Sequence, residues 1–168
     1  EYLKVYGVLV GKKPLIFTNN DSAYETAIEF KKNGILPIIL DSRTNPSSEI
    51  VSEAKNMGID IRFSHVVVAA KGYKKVKSAE IAKISENKKN LEEIKNITCD
   101  CICVSGFWTP TIHLASQSGN KTKFNNDIDA FVPNKSKQNE TTLGSANGIF
   151  TLEETLKKSF ESGYEISK

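Results

Sequence analysis

Pro14-Leu-Ile-Phe-Thr18-Asn-Asn-Asp-Ser-Ala23-Tyr24 opens the part of this chain that decides its fold. Leu15 to Phe17 is a short apolar run that reads as a buried strand. From Ser22 to Asn33, residues Ala23, Tyr24, Ala27, Ile28 and Phe30 recur at helical spacing, and Gly34 is placed to end that helix. Ile35 to Leu40 is the next apolar strand, with Asp41 at its carboxyl end. Strand, turn, helix and strand make the first unit of a dinucleotide-binding domain. The acidic residue lies roughly twenty positions past the turn, the spacing at which a carboxylate meets a ribose hydroxyl.

The turn departs from the glycine fingerprint. Thr18, Asn19 and Asn20 stand where glycines are usual, and Ala23 takes the third glycine position. A helix beginning at Ser22 still offers unpaired N–H groups and a partial positive charge to a pyrophosphate. Asn19 and Asn20 tolerate left-handed backbone, and their amides are able to donate to phosphate oxygens. Asn20 also carries a side chain where glycine would let a ligand approach. The competing reading is an ordinary crossover capped by Asp21 or Ser22.

Working outward, Asn45-Pro46 reads as a helix start, with Pro at the first helical position. Ile50, Val51, Ala54 and Met57 form its apolar stripe, Gly58 closes it, and Ile59 to Phe63 is a third strand. Residues 14–63 therefore predict a parallel β-α-β-α-β core with right-handed crossovers. His65 to Ala70, Lys75 to Ser85 and Leu91 to Ile97 follow without helices, as an antiparallel meander. Thr98 to Ser105 reads as a continuous central strand running into Gly106-Phe-Trp-Thr-Pro110. Beyond it, Gly119 to Glu140 is a polar excursion or a hairpin around Phe124 and Phe131. Thr141 to Gly144 reads as a short strand. Leu152 to Phe160 reads as a helix capped by Thr151 and Glu154, with Leu152, Leu156 and Phe160 on its inner face. Near the start, only Tyr2 to Tyr6 suggests a helix. A chain that opens on Glu1 looks like a piece of a longer polypeptide.

With 168 residues, 39% of them apolar, the chain is able to bury one good core. A net charge of +3 argues for neither nucleic acid nor membrane, and no apolar run is long enough to span a bilayer. Among 23 basic residues only Arg43 and Arg62 are arginines, so forked recognition of phosphate is scarce. Lys71, Lys74, Lys75 and Lys77 fit a solvated hairpin edge. Cys99, Cys101 and Cys103 alternate, which would place them on one face of a strand. That spacing suits neither zinc nor a redox pair; three small buried thiols in a reduced, cytoplasmic setting is the expectation. No metal site is expected, and His113 lacks a visible acidic partner or nucleophile, so no catalytic residue is assigned.

Several blocks occur together in one order: Tyr6-Gly-Val8, Thr18-Asn-Asn-Asp-Ser-Ala-Tyr24, Asp41-Ser-Arg43, Cys99-Asp100, Val104-Ser-Gly-Phe-Trp-Thr-Pro110, His113-Leu114, Ser116-Gln-Ser118 and Gly144-Ser-Ala-Asn-Gly148. With these, the chain resembles part of the alpha subunit of heterotetrameric bacterial sarcosine oxidases. The resemblance implies an α/β fold: a Rossmann-like parallel sheet with an antiparallel meander, as in the NAD domain of glutathione-reductase-type proteins, plus a C-terminal returning segment. Residues 1–105 would be the NAD-binding domain, and 106–168 the return into an outer dinucleotide domain. That outer domain's own glycine fingerprint is missing from this chain.

The resemblance further implies NAD on this subunit, with FAD and FMN only in the complete complex. Partners would be the other subunits and the rest of the alpha subunit. Oxidation of sarcosine to glycine, formaldehyde and peroxide would occur at a flavin on the beta subunit. Thr18, Asn19, Asn20, Asp21 and Ser22 would then face the pyrophosphate. Asp41 would accept from the adenosine ribose and repel the extra phosphate of NADP. Ser42 and Arg43 adjoin it, and Arg43 would stack on adenine or hold that phosphate. His65 and Val66 would line the adenine side or serve the core. Ser105, Gly106 and Trp108 follow a strand end, where such sheets place ligands; Trp108 would contact the nicotinamide half or serve as a packed aromatic. Two alternatives stand beside this reading: an NAD(P)H-dependent flavin or disulfide reductase domain, whose paired redox Cys and flavin fingerprint are both missing, and a vestigial nucleotide fold serving subunit assembly, which the substituted turn supports.

Overall fold

The computed structural model describes residues 1–87 and 89–167, which form two compact units, Glu1–Phe107 and Trp108–Lys168. The first contains α1 (Tyr2–Tyr6), β1 (Pro14–Thr18), α2 (Ser22–Lys32), β2 (Ile38–Asp41), α3 (Glu49–Asn56), β3 (Asp60–Phe63), β4 (His65–Gly72), β5 (Val76–Ile84), β6 (Leu91–Thr98) and β7 (Cys101–Ser105). Four strands make a sheet in the order β3-β2-β1-β7, and every pair is parallel. β4, β5 and β6 form the antiparallel meander.

The continuous apolar character of β1 and β2 follows from burial on both faces. Ile16 and Ile39 turn to one side, where they pack with Ala23, Tyr24, Ala27 and Ile28 of α2 and Val51 and Ala54 of α3. Leu15 and Leu40 turn to the other, against Ala79 and Ile81 of β5 and against Cys99. Each of these fully buried Leu and Ile side chains contributes roughly 2 kcal/mol. The result is three layers: helices, parallel sheet, meander. Gly34 and Gly58, at φ 77° and 70°, adopt the left-handed backbone that ends α2 and α3.

Several boundaries differ from those predicted. β2 begins at Ile38 rather than Ile35, because Pro37 has no N–H for a ladder; Ile35 is nonetheless buried in the helix-side core. α3 starts at Glu49, with Ser48 extended at its N-cap, rather than at Pro46. Asn45 precedes a proline, which disfavours helical backbone there and leaves the start to Ser48. The predicted strand from Thr98 to Ser105 is broken. β6 ends at Thr98, Cys99 and Asp100 turn the chain, and β7 begins at Cys101 as the sheet's edge rather than its centre. The three cysteines therefore do not share a face. Cys99 is buried on the meander side, whereas Cys103 packs on the helix side. Its sulfur is 3.8 Å from that of Cys101, and burial pushes the Cys103 thiol up to about 12.

Asp100 explains the break. Its carboxylate accepts the backbone N–H groups of Lys12 and Lys13 at 2.8 and 2.7 Å, which aligns the entry into β1 with the entry into β7. These bonds, Lys12's first, hold its carboxyl below the usual range. A depressed folded value gives stability that is present above the ordinary Asp value and lost as pH falls through the folded one. Asp100→Asn is therefore expected to flatten the fall in stability below about pH 4, while costing under ~1 kcal/mol at neutral pH because the group is exposed. Urea titrations of both proteins between pH 3 and 7 check this; parallel curves would contradict it.

The second unit holds α4 (His113–Gln117), a hairpin of β8 (Thr122–Asn125) and β9 (Ala130–Pro133), a short 3-10 turn at Gly144–Asn147, and α5 (Leu152–Ile166). Of the two readings of Gly119 to Glu140, the structure takes the hairpin, with the Phe124 and Phe131 rings edge-on at 5.2 Å. Buried Asn120 organises the following loop: its Oδ1 accepts Lys137 N–H at 2.9 Å, and its amide donates to Glu140. Thr141 to Leu143 do not form the predicted strand. α5 is longer than expected, and its Thr151 hydroxyl meets Glu154 at 3.3 Å rather than capping the backbone. Leu152, Leu156 and Phe160, expected inside, are 62% to 78% exposed. Helical spacing identifies an apolar face but not what covers it. Among the described residues, no helix is long and apolar enough to cross a membrane.

Candidate functional site

From β1 the chain crosses to β2 and then β3 on one side, whereas β7 lies on the other side of β1. The sheet's order thus reverses between β1 and β7, and a crevice at the carboxyl ends of such strands is where open α/β sheets bind ligands. Thr18 pairs in register with Asp41 on one side and Ser105 on the other. The Thr18–Ser22 turn, Asp41 to Arg43, and Ser105-Gly106 therefore meet at one edge.

Asn20 is the hub of the turn. Its Oδ1 accepts the Ser22 N–H at 3.1 Å and the Ser22 hydroxyl at 2.6 Å. Its amide nitrogen donates to the Gly106 carbonyl, more weakly to Ser105 O at 3.5 Å, and to Asn19 Oδ1 at 3.2 Å. The Thr18 hydroxyl, itself buried, accepts the Asn20 N–H at 3.1 Å. Neither asparagine uses left-handed backbone, since the non-glycine residues with positive φ among those described are Ser64, Glu93 and Asp129. Nor does Asp21 or Ser22 cap α2 with its side chain; Asp21 occupies the N-cap without a capping bond. The Asn20 amide replaces the cap and ties the turn to the end of β7.

Asp41 is wholly buried. Its Oδ2 accepts the Tyr24 hydroxyl at 2.7 Å and Arg43 Nη2 at 2.8 Å. Its Oδ1 accepts the Arg43 backbone N–H at 2.9 Å and Nε at 3.1 Å. Arg43 Nη2 also lies 2.7 Å from Asp21 Oδ1, so one guanidinium bridges the end of β2 and the start of α2. Hydrogen bonding to Asp41 holds that guanidinium protonated, above its ordinary value. Burial opposes ionisation of Asp21, but Ser48 and Arg43 beside it outweigh burial and hold its carboxyl below the usual range. Burial and the Asp41 carboxylate together raise the Tyr24 hydroxyl.

Other expected residues fall into place around this cluster. Ser42 N–H donates to the Thr18 carbonyl at 3.0 Å, holding the ends of β1 and β2 together. Ser64 turns between β3 and β4, and its N–H donates to the Arg43 carbonyl at 3.0 Å; Val66 follows on β4, paired with Ala82 of β5. His65 is spent locally, its Nδ1 2.6 Å from Phe63 O. Trp108 belongs to the second unit, where it packs against Phe150 at 6.4 Å. The sequence reading missed Tyr24 as a polar participant. Its helical spacing marked it as core, and a buried phenol's need for a partner was the available signal. No group of three or more His, Cys, Asp or Glu among the described residues is placed to hold a metal.

No protein-family profile matches the chain. Sarcosine oxidase subunit alpha from Corynebacterium sp. (strain P-1) is 29% identical over 157 residues, covering 92% of this chain and 16% of that protein. The corresponding subunit from Rhizobium meliloti (strain 1021) is 30% identical over 147 residues, covering 86% of this chain and 14% of that protein. The chain thus spans about one-sixth of the length of these relatives. Among solved structures, Lactococcus lactis thioredoxin reductase superposes with a TM-score of 0.67 at 16% identity, covering 91% of this chain and 51% of that one. At that identity the likeness concerns the fold alone, which is that of FAD/NAD(P)-binding reductases. Over about nine-tenths of its length, the chain is related in sequence to a segment of the sarcosine oxidase alpha subunits.

Proposed function

We propose that this chain is the NAD-binding part of the alpha subunit of a multi-subunit, cytoplasmic sarcosine oxidase. The complete enzyme would convert sarcosine, oxygen and water to glycine, formaldehyde and hydrogen peroxide. That chemistry, on a CH–NH donor, is assigned to a flavin on the beta subunit, and FAD and FMN to the complete complex; this chain supplies no catalytic residue. Residues 106–168 would return into an outer dinucleotide domain completed by the rest of the subunit. The observation that carries the reading is the β1-α2 turn at the point where strand order reverses, with a carboxylate–arginine cluster at the end of β2.

In this reading the start of α2 receives the pyrophosphate, and the Asp21–Arg43–Asp41 cluster receives the adenosine ribose. One observation favours the vestigial alternative: the Asn20 amide already occupies the Ser22 N–H that a phosphate would use. The two readings part in one experiment. Asn20→Gly frees that N–H and restores a fingerprint glycine, so NAD+ should bind about fivefold to tenfold tighter than to the unaltered protein in isothermal titration. The release of one polar bond at the helix start corresponds to roughly 1 kcal/mol. If neither protein gives a binding heat with NAD+ at millimolar concentration, the fold is vestigial.

A further inference from the structure

Given a dinucleotide in the β1-α2 crevice as proposed above, we infer that Asp21, rather than Asp41, is the carboxylate that meets the adenosine ribose and excludes NADP. Asp41 stands at the position where a Rossmann unit usually displays its ribose-binding acid. Here it is wholly buried. Both of its oxygens are engaged by Tyr24 and Arg43. It is a positioning residue, which fixes the Arg43 guanidinium at the end of β2. Asp21 grips the same guanidinium from the α2 side, at 2.7 Å, and its side chain remains 42% exposed. Its Oδ1, which faces Arg43, is buried, so the oxygen open to a ribose diol is Oδ2.

The charges explain the exclusion. Two carboxylates and one guanidinium leave the cluster with a net charge of −1. A 2′-phosphate would add about two further negative charges. An arginine near this position accommodates such a phosphate in NADP-binding members of the fold, but Arg43 is held by two acids. While Asp21 holds Nη2 at 2.7 Å, a phosphate would have to displace that carboxylate or lie beside its charge. Removing the charge of Asp21 changes the balance: the cluster becomes neutral, and Nη2 loses one of its two anionic partners.

Isothermal titration of the unaltered protein, Asp21→Asn and Asp21→Asn/Arg43→Gln with NAD+ and NADP+ tests this. The unaltered protein should bind NADP+ at least tenfold more weakly than NAD+. Asp21→Asn should raise the ratio of NADP+ to NAD+ affinity at least tenfold, and adding Arg43→Gln should return it toward the starting value. Asp21→Ser, a second neutral variant that favours a helix start, must give the same direction. An unmoved ratio in both neutral variants, with NAD+ still bound by the unaltered protein, overturns this assignment alone. So does a ratio that rises equally with and without Arg43. Failure of the unaltered protein to bind NAD+ overturns the dinucleotide reading as well.

Discussion

Asp41→Ala is expected to destabilise the first unit by about 3 kcal/mol. The carboxylate is wholly buried, and its loss leaves the Tyr24 hydroxyl and the Arg43 Nε without their acceptor. Removing one member of a buried pair typically costs about 3–5 kcal/mol, because the other is left uncompensated. Arg43 is a third exposed and keeps Asp21, which places the expectation at the lower end of that range. Asp41→Asn, which still accepts from Tyr24, should cost about half as much. Urea denaturation followed by far-ultraviolet circular dichroism measures both. A loss below about 0.5 kcal/mol for the alanine variant would mean that Asp41 does not hold the cluster together.

The second large effect concerns ligand rather than stability. Ser22→Asp should weaken NAD+ binding by roughly tenfold to 150-fold, equivalent to the ~1.5–3 kcal/mol of a charged hydrogen bond reversed in sign. The new carboxylate would stand at the start of α2, where the helix N-terminus otherwise favours the pyrophosphate. Acidic residues in a first helical turn are stabilising in themselves, so the fold should hold, and circular dichroism melting provides the control. Unchanged NAD+ affinity with an intact fold would remove the pyrophosphate from this turn.

The layered core was legible because its signals are periodic. The two apolar strand runs and the α2 stripe from Ala23 to Phe30 follow from spacing alone, whereas the division of Ile16 and Ile39 from Leu15 and Leu40 between the two faces came with the structure. The meander was legible from apolar runs between polar turns; the Phe124–Phe131 hairpin was one of two readings of a polar stretch. What escaped depends on single side chains acting across long sequence separations. Asp100 reaches back to Lys12 and Lys13 and so breaks a run that looks continuous. Asn20 reaches Gly106, so the residue that stands in a glycine's place acts as a brace. Asp41 was identified by its place at a strand end, but position does not reveal that Tyr24 and Arg43 enclose it. The apolar stripe of α5 was legible as a stripe, and its exposure was not.

Hydrogen exchange of residues 14–41 with and without NAD+ tests the central claim most directly. Amides of β1, α2 and β2 report on the site itself. A ligand that binds only the folded state adds RT ln(1 + [L]/Kd) to the opening free energy, about 2.7 kcal/mol at a hundredfold excess over Kd. A dinucleotide site at the β1-α2 turn predicts that protection of the slowest of these amides rises with the logarithm of NAD+ concentration. Protection that stays flat up to millimolar NAD+ would contradict it.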